Sequence, residues 1–348
     1  MGDKADNSRT SVQGTEPALE DLLLGDERLG REKQLQTIFA QLHDFPRDRD
    51  PATWARLKRD LGEELLRIHS TGFRVNLEVA FHCFHDAHQV FSRTAQPMIW
   101  AEIHNDIARA WELSIEGDRR MTLWLAIQHY EAALEVCTKE SEPEAWAALQ
   151  NNLGNAWSEI PGEDRIGNIK RGIEHYSAAL EIRTRDNNPY AFAITTSNLG
   201  CAHGQLPVGD WAFNLVQAIS CHEAALSVFT REEYPLEWAE ALNNLGNAYR
   251  KMPSGHRLAN LRGAAECYKH ALEVRTREEM PLEHARTRRN LAMAYLDEDF
   301  PLSERERLFV AHECLQVACD VFEDFGQVDK RSFEMRDLIG ARLRELEV

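Results

Sequence analysis

The sequence lacks several features on which common functions depend. It has no apolar run of about 18 residues and no charged-then-apolar leader, so we expect neither a transmembrane span nor a secretory signal, and we predict a cytoplasmic protein. Its seven cysteines form no C-x-x-C pair and are expected to be reduced core residues. The motifs G-x-S-x-G and G-x-x-x-x-G-K-[ST] are missing, as is any strand pattern that could present a Gly-rich loop. No catalytic residue and no cofactor is therefore predicted.

Acidic residues outnumber basic ones, with 57 Asp and Glu against 40 Lys and Arg. The formal net charge is −17, which repels phosphate backbones and anionic lipid, so binding to nucleic acid or to a membrane surface is not expected. The hydrophobic fraction of 43% and the charged fraction of 28% are ordinary for a globular protein. A chain of 348 residues is nevertheless too long for one conventional core.

Internal repetition resolves that difficulty. The stretch Pro235 to Arg250, PLEWAEALNNLGNAYR, recurs in near-copy at a constant interval of 46 residues. Six equivalent prolines open the copies: Pro51, Pro97, Pro143, Pro189, Pro235 and Pro281. A fixed period of roughly 20 to 50 residues indicates a protein built from stacked repeats.

Each repeat predicts two helices. The proline suits the first turn of the first helix, because its missing N–H would have had no partner there. A Leu-Gly or similar pair inside this helix, such as Leu153-Gly154, would let a neighbouring helix approach closely. The second helix carries an apolar stripe and is predicted to start near a recurring asparagine, a residue favoured at helix starts. These asparagines are Asn76, Asn168, Asn214 and Asn260.

The repeats set the predicted domain organisation. Residues 1–16 lack apolar periodicity and are expected to be a disordered tail. Residues 17–50 carry apolar clusters that predict N-terminal capping helices, residues 51–326 hold the six repeats, and residues 327–348 predict a charged C-terminal capping helix of the kind that solenoids need.

The pattern L-G-x-x-[YW], then A-x-x-x-[YF]-x-x-A, then Pro, resembles the tetratricopeptide repeat over residues 51 to about 325. Its wording is most similar to kinesin-light-chain-type repeats and to long bacterial repeats found beside caspase-like (CHAT) peptidases. The resemblance implies an all-α right-handed superhelix of about 14 or 15 helices, whose first helices line a concave groove. The period departs from the familiar unit of about 34 residues, which implies longer helices.

The resemblance also implies where a ligand would bind: two positions before and two positions after the Leu-Gly pair. Asparagine is frequent there, and its amide can hold a peptide backbone without reading side chains. A basic cluster at the late end suits a peptide carboxylate or acidic side chains. The predicted peptide-binding residues are Asn105, Asn151, Asn155, Asn243, Asn247, Arg250, Arg286 and Arg289. The alternatives are that the asparagines bond between adjacent first helices and that the arginines are solvated surface.

A second candidate site is the histidine-rich stretch at residues 80–90. Glu78, His82 and His85 share one helical face and could ligate Zn or Fe, with His104 nearby. His88 aligns with a leucine of the other repeats, so it is expected in the core and not with these ligands. The simpler interpretation is one packed and two solvated histidines.

The function these observations favour is a non-catalytic scaffold or adaptor that binds an extended peptide of a partner protein, possibly ending in an acidic group or a C-terminal carboxylate. One alternative is a metal-binding enzyme or sensor built around Glu78, His82, His85 and His104. Another, from family analogy alone, is a regulatory subunit of a separately encoded peptidase.

Overall fold

The computed structural model describes residues 28–68, 73–207, 209–253, 256–327 and 329–346. The predicted tail at 1–16 and the apolar cluster at 19–24 lie outside these residues. The described chain contains 14 helices and no strand, which confirms the all-α prediction. The helices are α1 Arg28–Asp44, α2 Pro51–Leu66, α3 Phe73–His88, α4 Pro97–Leu113, α5 Arg119–Leu134, α6 Pro143–Glu159, α7 Arg165–Leu180, α8 Pro189–Gln205, α9 Trp211–Leu226, α10 Pro235–Lys251, α11 Arg257–Leu272, α12 Pro281–Tyr295, α13 Glu304–Asp324 and α14 Lys330–Glu345.

The chain divides into two compact units. Unit 1, residues 1–136, holds α1 to α5, and unit 2, residues 137–348, holds α6 to α14. Within each unit every helix packs on the next one in the chain. The helices that start at the repeated prolines also touch one another: α2 contacts α4, and α6, α8, α10 and α12 form a contacting row. This consecutive packing is that of an α-solenoid, as predicted.

The first helices begin where the prolines predicted. All six have proline at the start of the first turn. The preceding residue caps the helix in two of them, because Asp50 accepts a hydrogen bond from the Thr53 N–H at 3.0 Å and Asn188 accepts one from Ala191 at 3.2 Å. Proline and cap together fix these helix starts from local sequence alone.

The second helices begin earlier than predicted. The recurring asparagines are the fourth residues of their helices, not the caps, and Asn76 and Asn168 are buried there. In two of these helices the cap is an aspartate four positions before the asparagine: Asp164 accepts from the Gly167 N–H at 3.2 Å, and Asp210 accepts from the Phe213 N–H at 3.0 Å. α11 has His256 at this position, with no side-chain cap bond. A carboxylate accepts these first-turn donors and favours the positive end of the helix dipole, so the aspartate sets the start.

The small residue of the first helix makes room for an aromatic ring of the second. A Cβ added at Gly154 would lie 2.5 Å from the Tyr176 ring, and one added at Gly246 would lie 2.7 Å from Tyr268. Both rings are almost fully buried. The close approach predicted from the Leu-Gly pair is therefore confirmed, and the ring is the group that makes the approach.

An arginine column that the sequence analysis did not single out ties the helices of a pair together. The side chain of Arg257, the first residue of α11, donates to the carbonyl oxygens of Arg250 at 2.6 Å and Met252 at 2.9 Å, at the end of α10. Arg165 makes the same contacts to Ser158 and Ile160 at the end of α6. The guanidinium thus satisfies carbonyl groups that the helix end leaves without partners.

The seven cysteines are free thiols, five of them buried and two half-buried, as expected for packed residues. Among the described residues, no helix combines the length and the apolar character needed to cross a membrane.

Candidate functional site

The predicted peptide-binding asparagines of unit 2 lie on the row of contacting first helices. Two of them join neighbouring helices of that row. The amide of Asn198 on α8 donates to Asn151 on α6 at 3.2 Å, and the amide of Asn290 on α12 donates to Asn243 on α10 at 3.1 Å. Asn151 and Asn243 also donate to the asparagine that follows each of them, at 3.3 and 3.5 Å. Both ends of these amides are therefore engaged within the protein, as the structural interpretation expects.

Asn155 and Asn247 are placed differently. Each is half-buried, and its amide oxygen accepts a hydrogen bond from a buried tyrosine of the same helix pair: Tyr176 to Asn155 at 2.7 Å and Tyr268 to Asn247 at 2.9 Å. The tyrosine fixes which way the amide points, so the NH₂ group is directed away from the hydroxyl. Neither NH₂ group donates a hydrogen bond within the part of the chain that the structure describes, and an oriented amide of this kind can bind a ligand.

Asn105, the one predicted contact in unit 1, stands beside an acidic network. Its amide donates to Asp106 at 3.3 Å. The Asp106 carboxylate is buried and accepts from Arg59 at 2.6 Å, and Arg59 also reaches Glu63 and Glu102. Burial raises the pKa of Asp106 above its ordinary value, although the Arg59 charge acts against this. One arginine thus serves three carboxylates, and the first-helix face of unit 1 is acidic here.

The basic end of unit 2 already holds a carboxylate. Arg289 on α12 forms an ion pair of 2.8 Å with Asp329, the residue that caps α14. Ser332 donates to the same carboxylate oxygen at 2.7 Å. Burial opposes the charged form, but the hydrogen bonds from Arg289 and Ser332 hold the pKa of Asp329 below its ordinary value. The C-terminal capping helix therefore presents to Arg289 the kind of group expected from a ligand.

The other two arginines stand near this pair. Arg250 is half-buried and, with Arg289, Asn290 and Asp329, lines a cavity of about 230 Å³. Arg286 is exposed and lines an adjoining concavity with Arg289. The structure thus brings all three predicted arginines to one end of the first-helix row.

A second cavity, of about 160 Å³, lies between α8, α9 and α10. His222 and Cys201 line it at the positions where the neighbouring pairs have tyrosine and asparagine. Asn244 donates to the Cys201 sulfur at 3.4 Å, and Lys251 donates to the Gly204 carbonyl at 3.2 Å. Sequence reasoning missed this place, although the replacement of Tyr and Asn by His and Cys in one repeat only was a visible signal.

The four residues of the alternative metal site, Glu78, His82, His85 and His104, are not gathered into one group in the structure. Glu78, His82 and His85 are exposed, and Glu78 pairs with Arg74 at 3.5 Å. His104 meets His88 instead, because the last turn of α3 faces the first half of α4 while His82 and His85 point outward. Among the described residues, no group of three or more His, Cys, Asp or Glu side chains is arranged to hold a metal ion.

His104 is the middle member of a chain of three half-buried imidazoles. Its Nε2 lies 3.2 Å from Nε2 of His88, and its Nδ1 lies 3.0 Å from Nδ1 of His129. Burial, followed by the charges of the two neighbours, lowers the pKa of His104 to about 4. The pKa values of His88 and His129 are lowered as well, chiefly by burial. All three rings are therefore neutral near pH 7.

Comparison of the sequence with protein-family models and with curated proteins gives no match. The fold supports a coarser assignment by itself: fourteen described helices, each packed within its unit on the next one in the chain, are the arrangement of a helical-repeat protein.

Proposed function

We propose that the chain is a non-catalytic interaction scaffold of the tetratricopeptide kind, which binds an extended peptide of a partner protein along its first helices. The observation that carries the proposal is the pair of oriented amides, Asn155 and Asn247, on the contacting row of first helices. An extended peptide offers unpaired C=O groups, and an amide NH₂ held in place by tyrosine donates to them without an entropic cost of ordering the side chain.

The basic end gives the bound peptide a direction. A peptide whose acidic group reaches Arg289 has to compete with Asp329, which already pairs with that arginine. Arg250 and the exposed Arg286 add positive charge beside it. The proposed partner is therefore a peptide with an acidic or carboxylate end, and its affinity is set partly by displacement of an internal carboxylate.

The test for the groove begins with selection of peptides from a random library displayed with free C-termini on the purified chain. A selected peptide is then titrated against Asn155→Ala plus Asn247→Ala. We expect affinity to fall by about 1 to 3 kcal/mol for two lost hydrogen bonds, with little change in salt dependence. Asn260→Ala, a half-buried asparagine on the second helix α11, is the matched control and should leave affinity unchanged. No enriched peptide, or equal losses in test and control, would count against the proposal.

The test for the basic end uses Asp329→Asn. Asparagine still caps α14, so the helix is retained while the competing charge is removed. We expect tighter binding of peptides with an acidic end and a steeper dependence of affinity on salt, since more of the arginine charge is available to the ligand. An affinity for acidic peptides that does not rise in this variant would show that Arg289 takes no part in binding.

A further inference from the structure

The imidazole chain of unit 1 contains one histidine that the scaffold does not require. At the position of His104 the third repeat has Gln150, which pairs with His175, the equivalent of His129, at 2.6 Å. A polar pair between the two helices of a repeat is thus a feature of more than one repeat. His88 is different, because its equivalents are leucines: Leu134, Leu180, Leu226 and Leu272. An apolar side chain therefore suffices for packing at this position in the other repeats. The imidazole nitrogens of His88 are not required by the fold.

We propose that His88 and His104 bind a divalent transition metal ion through their Nε2 atoms, with His129 as the residue that positions the His104 ring. Two nitrogens bonded to one tetrahedral Zn²⁺ at about 2.0–2.1 Å lie about 3.3 Å apart. The two Nε2 atoms are 3.2 Å apart. The spacing of the two nitrogens therefore matches that of two ligands of one ion, and binding requires the rings to turn so that both lone pairs point at it. Neutral imidazoles suit Zn²⁺, Ni²⁺ and Cu²⁺.

The proton balance of the chain fits this role. With the ion bound, both Nε2 atoms use their lone pairs, so each ring carries its proton on Nδ1. The Nδ1–H of His104 then donates to Nδ1 of His129, which lies 3.0 Å away. A metal-bound histidine characteristically donates its second N–H to such a fixed acceptor, which holds the ring and its tautomer. Each of the three neutral rings carries one proton before and after the ion binds, so protons are rearranged among the ring nitrogens and none is released.

The surroundings restrict the rings on one side and leave the site open on the other. The Trp100 ring lies against His104 with a centroid distance of 4.0 Å, which limits rotation of the imidazole. His88 is the last residue of α3, and the exposed His85 stands one turn before it. The ion thus takes two protein nitrogens, and water completes its coordination.

The experiment titrates Zn²⁺ and Co²⁺ into the full chain without a histidine tag, followed by calorimetry and by Co²⁺ absorption. We expect one ion per chain. His88→Leu carries the residue that four other repeats have at this position, and His104→Gln carries the residue of the third repeat, so both should fold. Both should weaken binding at least about tenfold. His129→Gln should weaken it about 10- to 100-fold through loss of ring orientation. His82→Gln, an exposed histidine on the same helix, is the control and should bind as the unaltered chain does.

A readout on the unaltered chain removes any dependence on how the variants fold. Nitrogen NMR of the histidine rings should show Zn²⁺ shifting Nε2 of His88 and His104, and Nδ1 of His129, before any other histidine. Absence of stoichiometric binding would show a hydrogen-bonded imidazole chain only and would overturn the proposal. Binding that survives in the double variant His88→Leu plus His104→Gln, or that is lost in His82→Gln, would place the ion on the exposed histidines and would overturn it equally.

Discussion

The helix pairs α6–α7 and α8–α9 have the same backbone plan and different chemistry at their centres. In α6–α7 the buried Tyr176 lies on Gly154 and donates to Asn155 at 2.7 Å. In α8–α9 the corresponding residues are His222 and Cys201, and the cavity of about 160 Å³ lies beside them. His222 is buried, and its Nδ1 has no hydrogen-bond partner in the described part of the chain. The histidine ring is smaller than a tyrosine ring, and it lacks the hydroxyl that donates to Asn155 in α6–α7.

The ends of the first helices show a second difference between these pairs. Arg165 donates to the carbonyl oxygens of Ser158 and Ile160 at the end of α6. The equivalent of Arg165 in α9 is Trp211, and the carbonyl of Gly204 at the end of α8 instead accepts from Lys251 of the next pair. The carbonyl groups at the end of the first helix therefore need a hydrogen-bond donor in both pairs, while the side chain that donates differs between them. In both pairs the C-terminal carbonyls of the first helix accept a hydrogen bond from a basic side chain, but that side chain comes from a different position in each pair.

The largest expected effect is the difference in stability lost when the central rings Tyr176 and His222 are each truncated. Tyr176→Ala removes a buried aromatic ring and the partner of Asn155, so we expect the free energy of unfolding to fall by about 3–5 kcal/mol. His222→Ala should cost less than half as much, because a cavity already exists there and an unpartnered buried nitrogen is removed with the ring. Urea unfolding followed by helical circular dichroism measures both. Equal losses would mean that the two centres are packed alike.

The second prediction concerns acid. Burial lowers the pKa of His222 from its ordinary 6.5 to about 4. Between about pH 6.5 and pH 4, His222 is therefore protonated in the unfolded chain and neutral in the folded chain. The free energy of unfolding falls as the pH is lowered through this range. The loss at this residue is on the order of 3 kcal/mol by pH 4.

The matched variant is His222→Phe, because Phe84 occupies the equivalent position in α3. Unfolding measured at several pH values should show a flatter acid limb for this variant than for the unaltered chain. Parallel curves would show that His222 is protonated at its ordinary pKa in the folded state.

The third prediction concerns a variant that places the Tyr–Asn pair of α6–α7 at the equivalent positions of α8–α9. His222→Tyr with Cys201→Asn restores the hydroxyl and its acceptor and fills the cavity, and we expect a gain of about 1–2 kcal/mol in the free energy of unfolding. Either change alone should gain less than half of this, because a lone tyrosine lacks its acceptor and a lone asparagine lacks its donor. Denaturant midpoints of the three variants measure the coupling, and additive effects would contradict it.

The smallest effect is expected at the helix ends. Trp211→Arg supplies the arginine that α7 and α11 already have, and we expect a stabilisation of about 0.3–1 kcal/mol from its contact with the C-terminal carbonyls of α8. The gain is limited because Lys251 already donates to Gly204. Thermal unfolding at low and high salt measures it. A gain that does not weaken at high salt would point to loss of the exposed tryptophan as its cause.

The sequence by itself determined the all-α fold, the pairing of helices and the starts of the first helices. These follow from local chemistry repeated at a fixed interval: proline in the first turn, a small residue for close approach, and an apolar stripe. It also carried the signals for the second helix starts and the arginine column. Aspartate four positions before Asn168 and Asn214, and arginine at the first residue of α5, α7 and α11, are visible in the repeat alignment.

Only the tertiary structure decided which polar groups meet. Asn151 and Asn155 are four residues apart on one helix face, yet the first joins a neighbouring helix and the second is oriented by a tyrosine. His104 pairs with His88 and not with His82, because the facing of α3 and α4 selects among histidines that periodicity alone cannot rank. The reason is physical: helical periodicity fixes the azimuth of a side chain on its own helix, whereas its partner depends on the distance and rotation of the helix packed against it.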